Sequence, residues 1–261
     1  MRAELRGNSG SRVLAVIGAW DPLSALHLSL FKQLTEDAHL KGLQACVVII
    51  YPPPTHLLLL SNQRALEYDD LEGRLALIET CGIDCIVTVY FEVADLDRTA
   101  EEFIRLVMEH VDLRHLLLGA TQSLGRGSRG SQSTIAEIAA QMGFGFGLMP
   151  LHKDAINTRA VWDYLAVGNI YQAARLVGHS PIRVRPPHGW IDFKWPAGHY
   201  PVVPLRNPAD VFSLPQVDPI IVELSEMGSA RRMCWPSHNI ECIAFVGNPN
   251  IQSQRGRSGQ N

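Results

Sequence analysis

VLAVIGAWDPLSALHLSL, residues 13–30, opens on an unbroken apolar run, breaks at Gly18 and resumes as an amphipathic pattern with one histidine near its start. An apolar run bounded by a turn reads as a buried strand, and the periodic stretch after it reads as a helix. Strand, tight turn and helix in that order begin a βα unit, the building block of a parallel sheet. Such sheets bind ligands beyond the carboxyl ends of their strands, where the strand order reverses. A helix that starts there turns free backbone N–H groups and the positive end of its dipole toward an anion. Asp21, Ser24 and His27 surround that helix start, His27 lying one turn beyond Ser24. The same residues also read as a plain Asp-Pro turn followed by a surface histidine.

The alternation continues for two-thirds of the chain. Strand-length apolar runs fall at 13–17, 45–51, 84–90, 114–119 and 144–149, and helical patterns at 24–40, 63–80, 99–110 and 132–142. Thr99 and Glu102 have the spacing of a capping box at the start of the third helix. Two further short helices fit the stretch from Asn157 to Gly178, with Gly168 between them and Gly178 as the stop. Beyond it, HSPIRVRPPHGWIDFKWPAGHYPVVPL, rich in proline and short alternating runs, reads as a small all-β module. The expected architecture is α/β: a doubly wound, Rossmann-like parallel sheet of about five strands over 12–180, then a β module over 181–247. Residues 1–11 are expected to be flexible, and the polar tail 248–261 to be disordered.

With 261 residues, 46% of them hydrophobic, the chain can bury a substantial core. A net charge of -3 provides no basic field for a nucleic-acid backbone, so nucleic acid is not an expected partner. The longest apolar stretches are broken by prolines and a histidine well short of the roughly 20 residues of a membrane span. No apolar signal core follows the start. A soluble, cytoplasmic protein without a membrane partner is expected. The five cysteines have no metal or redox spacing, and Cys46 and Cys85 sit in apolar runs as small hydrophobes.

Two other places suit an anion. LLLGATQSLGRGSRGSQST, residues 116–134, is a glycine-rich loop between a strand and a helix, in which Arg126 and Arg129 can make charge-assisted bonds. It lacks the G-K-[ST] of a Walker A loop and reads equally as a surface loop. Asn157, Thr158 and Arg159 stand at a helix start, where ordinary N-capping accounts for the same residues.

Read in order, these pieces resemble the FMN adenylyltransferase module of the bacterial bifunctional riboflavin kinase/FAD synthetase family, within the H-x-G-H nucleotidyltransferases. The resemblance runs over about 165 residues: GAWD after the first strand, IYPPP ending the second, LALIETCGIDCIVTVYF, TAEEFIRLVMEHVDLRHLLLG, GRG, TR and LAVGNIYQAARLVGH. It implies ATP and FMN as substrates with Mg2+ accompanying ATP: the FMN phosphate attacks the α-phosphorus and pyrophosphate leaves. It also implies site residues. Asp21, His27, Thr158 and Arg159 take the catalytic positions, and Gly18, Trp20, Ser24 and Asn157 the ATP and phosphate positions. Gly119, Gly125, Arg126 and Gly127 are placed on the flavin or acceptor side, and protein partners are left open.

The departures from the family pattern lie where the chemistry does. Its G-x-F-D-G-x-H-x-G-H is GAWDPLSALH here, so Ser24 replaces the first histidine, and Pro22 and Leu26 replace two glycines. Pro53 stands for the histidine of P-H-P, GATQSLG for G-x-D-F-x-F-G, and Val161 for the last arginine of I-S-S-T-x-x-R. WPAGHYPVVPL is similar to a strand of the kinase domain, but the kinase signature G-x-P-T-x-N is missing, so kinase activity is expected to be absent. The pattern implies an FMN adenylyltransferase with weakened catalysis. The alternatives are a catalytically degraded pseudoenzyme that binds nucleotide or flavin or serves as a regulatory or interaction protein, and an enzyme for another phosphorylated acceptor.

Overall fold

The computed structural model describes all residues except 54–65, 121, 127–129, 150–155, 188–189, 194, 228–229, 238 and 249–261. The chain divides into two compact units, Met1–Ala65 with Arg74–Ile156, and Leu66–Gly73 with Asn157–Asn261.

The first unit is built on a six-stranded sheet. In chain order its strands are β1 (Arg2–Arg6), β2 (Arg12–Gly18), β3 (Gln44–Tyr51), β4 (Cys85–Tyr90), β5 (Asp112–Gly119) and β6 (Gly145–Met149). They lie in the order β1-β4-β3-β2-β5-β6. The helices are α1 (Ala25–Leu40), α2 (Leu71–Glu79), whose residues up to Gly73 fall in the second unit, α3 (Ala100–Met108) and α4 (Gln132–Met142). β2, β3 and β4 are buried along nearly their whole length, as central strands covered on both faces must be. Thr99 and Glu102 form the expected capping box at α3, and Ser131 caps α4.

Three expectations are corrected here. The sheet has six strands, and it is mixed: β1 runs antiparallel to β4, pairing Arg2 with Tyr90 through Arg6 with Ile86. Residues 2–6 are therefore an edge strand and not a flexible lead. Ala3 and Leu5 pack against the core while the alternate charged residues face outward, an alternation too short to stand out in the sequence. Finally, the helix expected over 63–80 begins at Leu71, because Asp70 accepts the Gly73 N–H at its start; residues 63–65 lie outside the described ones.

The second unit contains α5 (Thr158–Ala166) and α6 (Ile170–Val177), so the division falls before these helices and not at 180. Gly168 and Gly178 punctuate them as expected, both with positive φ. β7 (Ile182–Val184), β8 (Trp190–Phe193), β9 (Gly198–Leu205), β10 (Ile220–Met227), β11 (Ala230–Cys234) and β12 (Cys242–Phe245) follow. They form an antiparallel sheet in the order β7-β12-β9-β10-β11-β8. Its core holds Trp195, Tyr200 and Phe245, with ring centroids 4.9–6.0 Å apart.

The outer edge of β7 is covered by residues 67–70. Asp69 accepts the Ile182 N–H at 2.9 Å and Asp70 the Val184 N–H at 2.8 Å, so two side chains satisfy what another strand otherwise would. Buried Arg183 donates to the carbonyls of Tyr68 at 2.6 Å and Glu67 at 3.2 Å, and lies over the Trp195 ring. Burial pushes the Asp70 carboxyl up to about 6, against the opposing pull of Arg183.

Candidate functional site

β2 has β3 and β4 on one side and β5 and β6 on the other, so the strand order reverses between β2 and β5. The turn after β2 and the loop after β5 therefore border the place where a sheet of this kind takes its ligand.

The turn is set by packing. Trp20 has φ 51° and is 8% exposed, and its indole Nε1 donates to the Val48 carbonyl at 3.1 Å. Its ring stands edge-on to His27 at 5.5 Å and to Phe31 at 4.9 Å. A Cβ on Gly18 would come within 2.8 Å of that ring, so glycine is required there by the tryptophan behind it. Arg74, fully buried, donates to the Ala19 carbonyl at 2.9 Å and lies over the Tyr51 ring at 5.3 Å. Trp20 thus supports the turn from beneath, with its indole N–H already taken.

Ser24 and His27 share one structural job. The Ser24 hydroxyl accepts from the His27 backbone N–H, and His27 Nδ1 accepts from the Ser24 N–H at 3.1 Å: a capping box with histidine in the usual acidic place. A neutral ring with Nδ1 accepting carries its proton on Nε2. Burial lowers the His27 pKa to about 4, while a hydrogen bond with the Pro22 backbone pulls the other way. The ring is therefore neutral at pH 7. The amides of Ala25 and Leu26, in the first turn of α1, have no carbonyl within the helix to bond to.

Across the reversal point, Gln122 folds back on the end of β5. Its Oε1 accepts the Gly119 N–H at 3.0 Å and its Nε2 donates to the Ile17 carbonyl at 2.8 Å, so one amide ties the ends of β5 and β2. Gln132, in α4, donates to the Ala120 carbonyl and anchors the same loop. Gly125 has φ 75°, and a Cβ there would lie 2.4 Å from the Ala100 amide nitrogen, so the loop lies directly on the start of α3. Arg126 donates its amide to the Arg98 carbonyl and pairs through its side chain with Asp97 at 3.0 Å. Gly127 and Arg129 lie outside the described residues.

The structure thus gathers Gly18, Trp20, Asp21, Ser24, His27 and Gly119 at the carboxyl edge of the first sheet. Asn157, Thr158 and Arg159 belong to the second unit. There Asn157 caps α5 by accepting the Ala160 N–H, as ordinary capping predicts, and Thr158 and Arg159 are exposed. Val161, which the resemblance sets at the last arginine of the family motif, is 0% exposed. Sequence reasoning missed Arg74 and Gln122. A buried arginine in a helical pattern carries no local signal, and Gln122 becomes meaningful only once β2 and β5 are neighbours. Among the described residues no group of three or more His, Cys, Asp or Glu side chains is placed to hold a metal ion. No described helix is long and apolar enough to cross a membrane.

A family model described as FAD synthetase matches residues 8–159. The chain belongs to the FAD synthetase family. It is 26% identical over 167 residues to the bifunctional riboflavin kinase/FMN adenylyltransferase of Escherichia coli K12, covering 62% of this chain and 53% of that one. The protein of the same description from Listeria monocytogenes is 23% identical over 174 residues, covering 65% of this chain and 54% of that one. The chain spans about half the length of the curated relatives it matches. Among solved structures, the crystal structure of a macrolide-efflux protein from Streptococcus pneumoniae superposes with a TM-score of 0.61. It covers 97% of this chain and 91% of that one at 13% identity, a likeness of fold alone.

Proposed function

We propose that this member of the FAD synthetase family is an FMN adenylyltransferase, which moves AMP from ATP to FMN to give FAD and pyrophosphate, and that it lacks riboflavin kinase activity. One observation carries the reading: the turn after β2 and the start of α1, which carry Gly18, Asp21 and His27, stand at the reversal point of the sheet and within the residues that the family model matches. The Ala25 and Leu26 amides and the neutral His27 would hold the phosphates of ATP, since a helix start favours anions. Mg2+ would arrive on those phosphates as part of the substrate, with Asp21 as the carboxylate at the turn. One carboxylate suits an ion held mostly by phosphate and water, and not a resident metal. Asn157, Thr158 and Arg159 are proposed for the β/γ end of ATP on the strength of their motif. Gly119, Gly125, Arg126 and Gly127 are proposed for the acceptor.

In this reading catalysis rests on positioning and charge stabilisation, because the transferred group needs no covalent help from the protein. A second reading, binding without turnover, is favoured by the capping box: Ser24, in the place of a phosphate-facing histidine, spends its hydroxyl on the helix.

The test is a pyrophosphate-release assay with ATP·Mg2+ and FMN, run beside titrations of each substrate. Turnover in the native chain, with a loss on the order of a hundredfold in His27→Ala at unchanged secondary structure, is the expected result. Binding of both substrates without pyrophosphate would replace it by the second reading, and binding of neither would remove both.

A further inference from the structure

Within the second unit a cavity of about 490 Å3 opens beside α6. That volume lies in the range of roughly 300–1,000 Å3 typical of small-molecule sites, and the proposed adenylyl transfer makes no use of it. Its lining comes from three places: Tyr171 and Arg175 on α6, Phe212 and Leu214 at and after the short helical turn Pro208–Phe212, and Phe245 of β12. The Tyr171 N–H donates to the Asn248 side chain at 3.1 Å and ties the start of α6 to the chain beyond β12. His179 also lines the cavity, only 5% exposed; its Nδ1 donates to the Ser180 carbonyl at 2.8 Å and its ring stands edge-on to Phe212 at 5.4 Å. Its Nε2 lies 3.6 Å from Asp69, which is buried and forms no part of the lining.

Tyr171, Phe212 and Leu214 are exposed, a cluster of large apolar groups left to water around a hollow. Arg175 supplies the one permanent charge of the lining, with its guanidinium over the Tyr171 ring at 6.0 Å. Among the described residues no carboxylate lines the cavity and none pairs with Arg175. Aromatic rings offer faces and edges to another ring, and a guanidinium without a carboxylate is matched by an anion. We infer that this cavity is a binding site for a small planar aromatic compound carrying one anionic group, with its ring against Tyr171 and Phe212 and its charge on Arg175. The inference goes beyond adenylyl transfer and stands whether or not the chain turns over.

The experiment titrates the full chain with 1-pyrenecarboxylate and with the neutral 1-pyrenemethanol, read by fluorescence anisotropy. The native chain should prefer the acid. Arg175→Gln should weaken the acid about fivefold, as for one partly exposed ion pair, and leave the alcohol unchanged, which a merely structural role for Arg175 would not give. Arg175→Lys should restore part of the loss. Phe212→Ala should weaken both compounds about tenfold through the lost ring contact. No binding of the acid, equal losses of acid and alcohol in Arg175→Gln, or unchanged binding in both the Arg175→Gln and Phe212→Ala variants would overturn the site. Displacement of the acid by an equal concentration of decanoate would overturn its aromatic class. Loss of binding in His27→Ala with Arg175→Gln unaffected would put the probe at the start of α1 and overturn the site as well.

Discussion

His27, proposed above for the phosphates of ATP, also has a part in the fold. Its Nδ1 closes the capping box with Ser24, and burial holds its pKa at about 4 against an ordinary 6.5. A histidine whose folded pKa is depressed lets the unfolded chain bind more protons between those values. Its stabilising contribution is therefore complete above about 6.5 and is lost as the pH falls toward about 4. Melting temperatures between pH 7 and pH 4 should fall more steeply for the native chain than for His27→Gln; parallel curves would show that His27 does not titrate in this way. Asp70 works in the opposite sense, because its folded pKa is raised to about 6 and its protonated form is favoured on acidification. Gly18, Asp21, Ser24 and His27 were all legible in the sequence as a group. That Trp20 points inward was not, since its φ of 51° and its bond to Val48 depend on the neighbouring strand.

Among the elements, β2, β3 and β4 were readable because strands buried on both faces leave long apolar runs. β1 was not, since an edge strand of five residues with alternating exposure has too little apolar signal. It nevertheless closes the β4 side of the sheet, with Ala3 and Leu5 against the core. Removing residues 1–7 should leave β4 as an open edge and strip those contacts, lowering stability by about 2–4 kcal/mol in a denaturant titration. A loss below the error of the measurement would mean that β1 is dispensable. Likewise, the loop after β5 was legible as a glycine-rich connection. Its seating on the start of α3 through Gly125, and the Gln122 clasp, exist only because residues distant in the chain approach within hydrogen-bond reach.

For the molecule as a whole, the division into units turns on a short polar stretch, Leu66–Gly73, which belongs with residues from 157 onward although it lies between elements of the first unit. Asp69 and Asp70 are its fastenings on β7. Asp70→Ala leaves the Val184 and Gly73 amides without their acceptor and should destabilise the protein by about 2–4 kcal/mol, since buried donors are expensive to leave unpaired. Hydrogen exchange at Val184 should rise with it, and unchanged protection there would count against the fastening. The sequence by itself determined the α/β class, the family and the position of the turn between β2 and α1. Those depend on local periodicity and on the order of motifs, which survive in a one-dimensional string. Only the tertiary structure decided which strand covers which edge, that residues 67–70 complete the second sheet, and that Gln122 joins β2 to β5. These are pairings between residues about a hundred positions apart, which the chain reaches only by folding, so neither partner carries a local mark of the other.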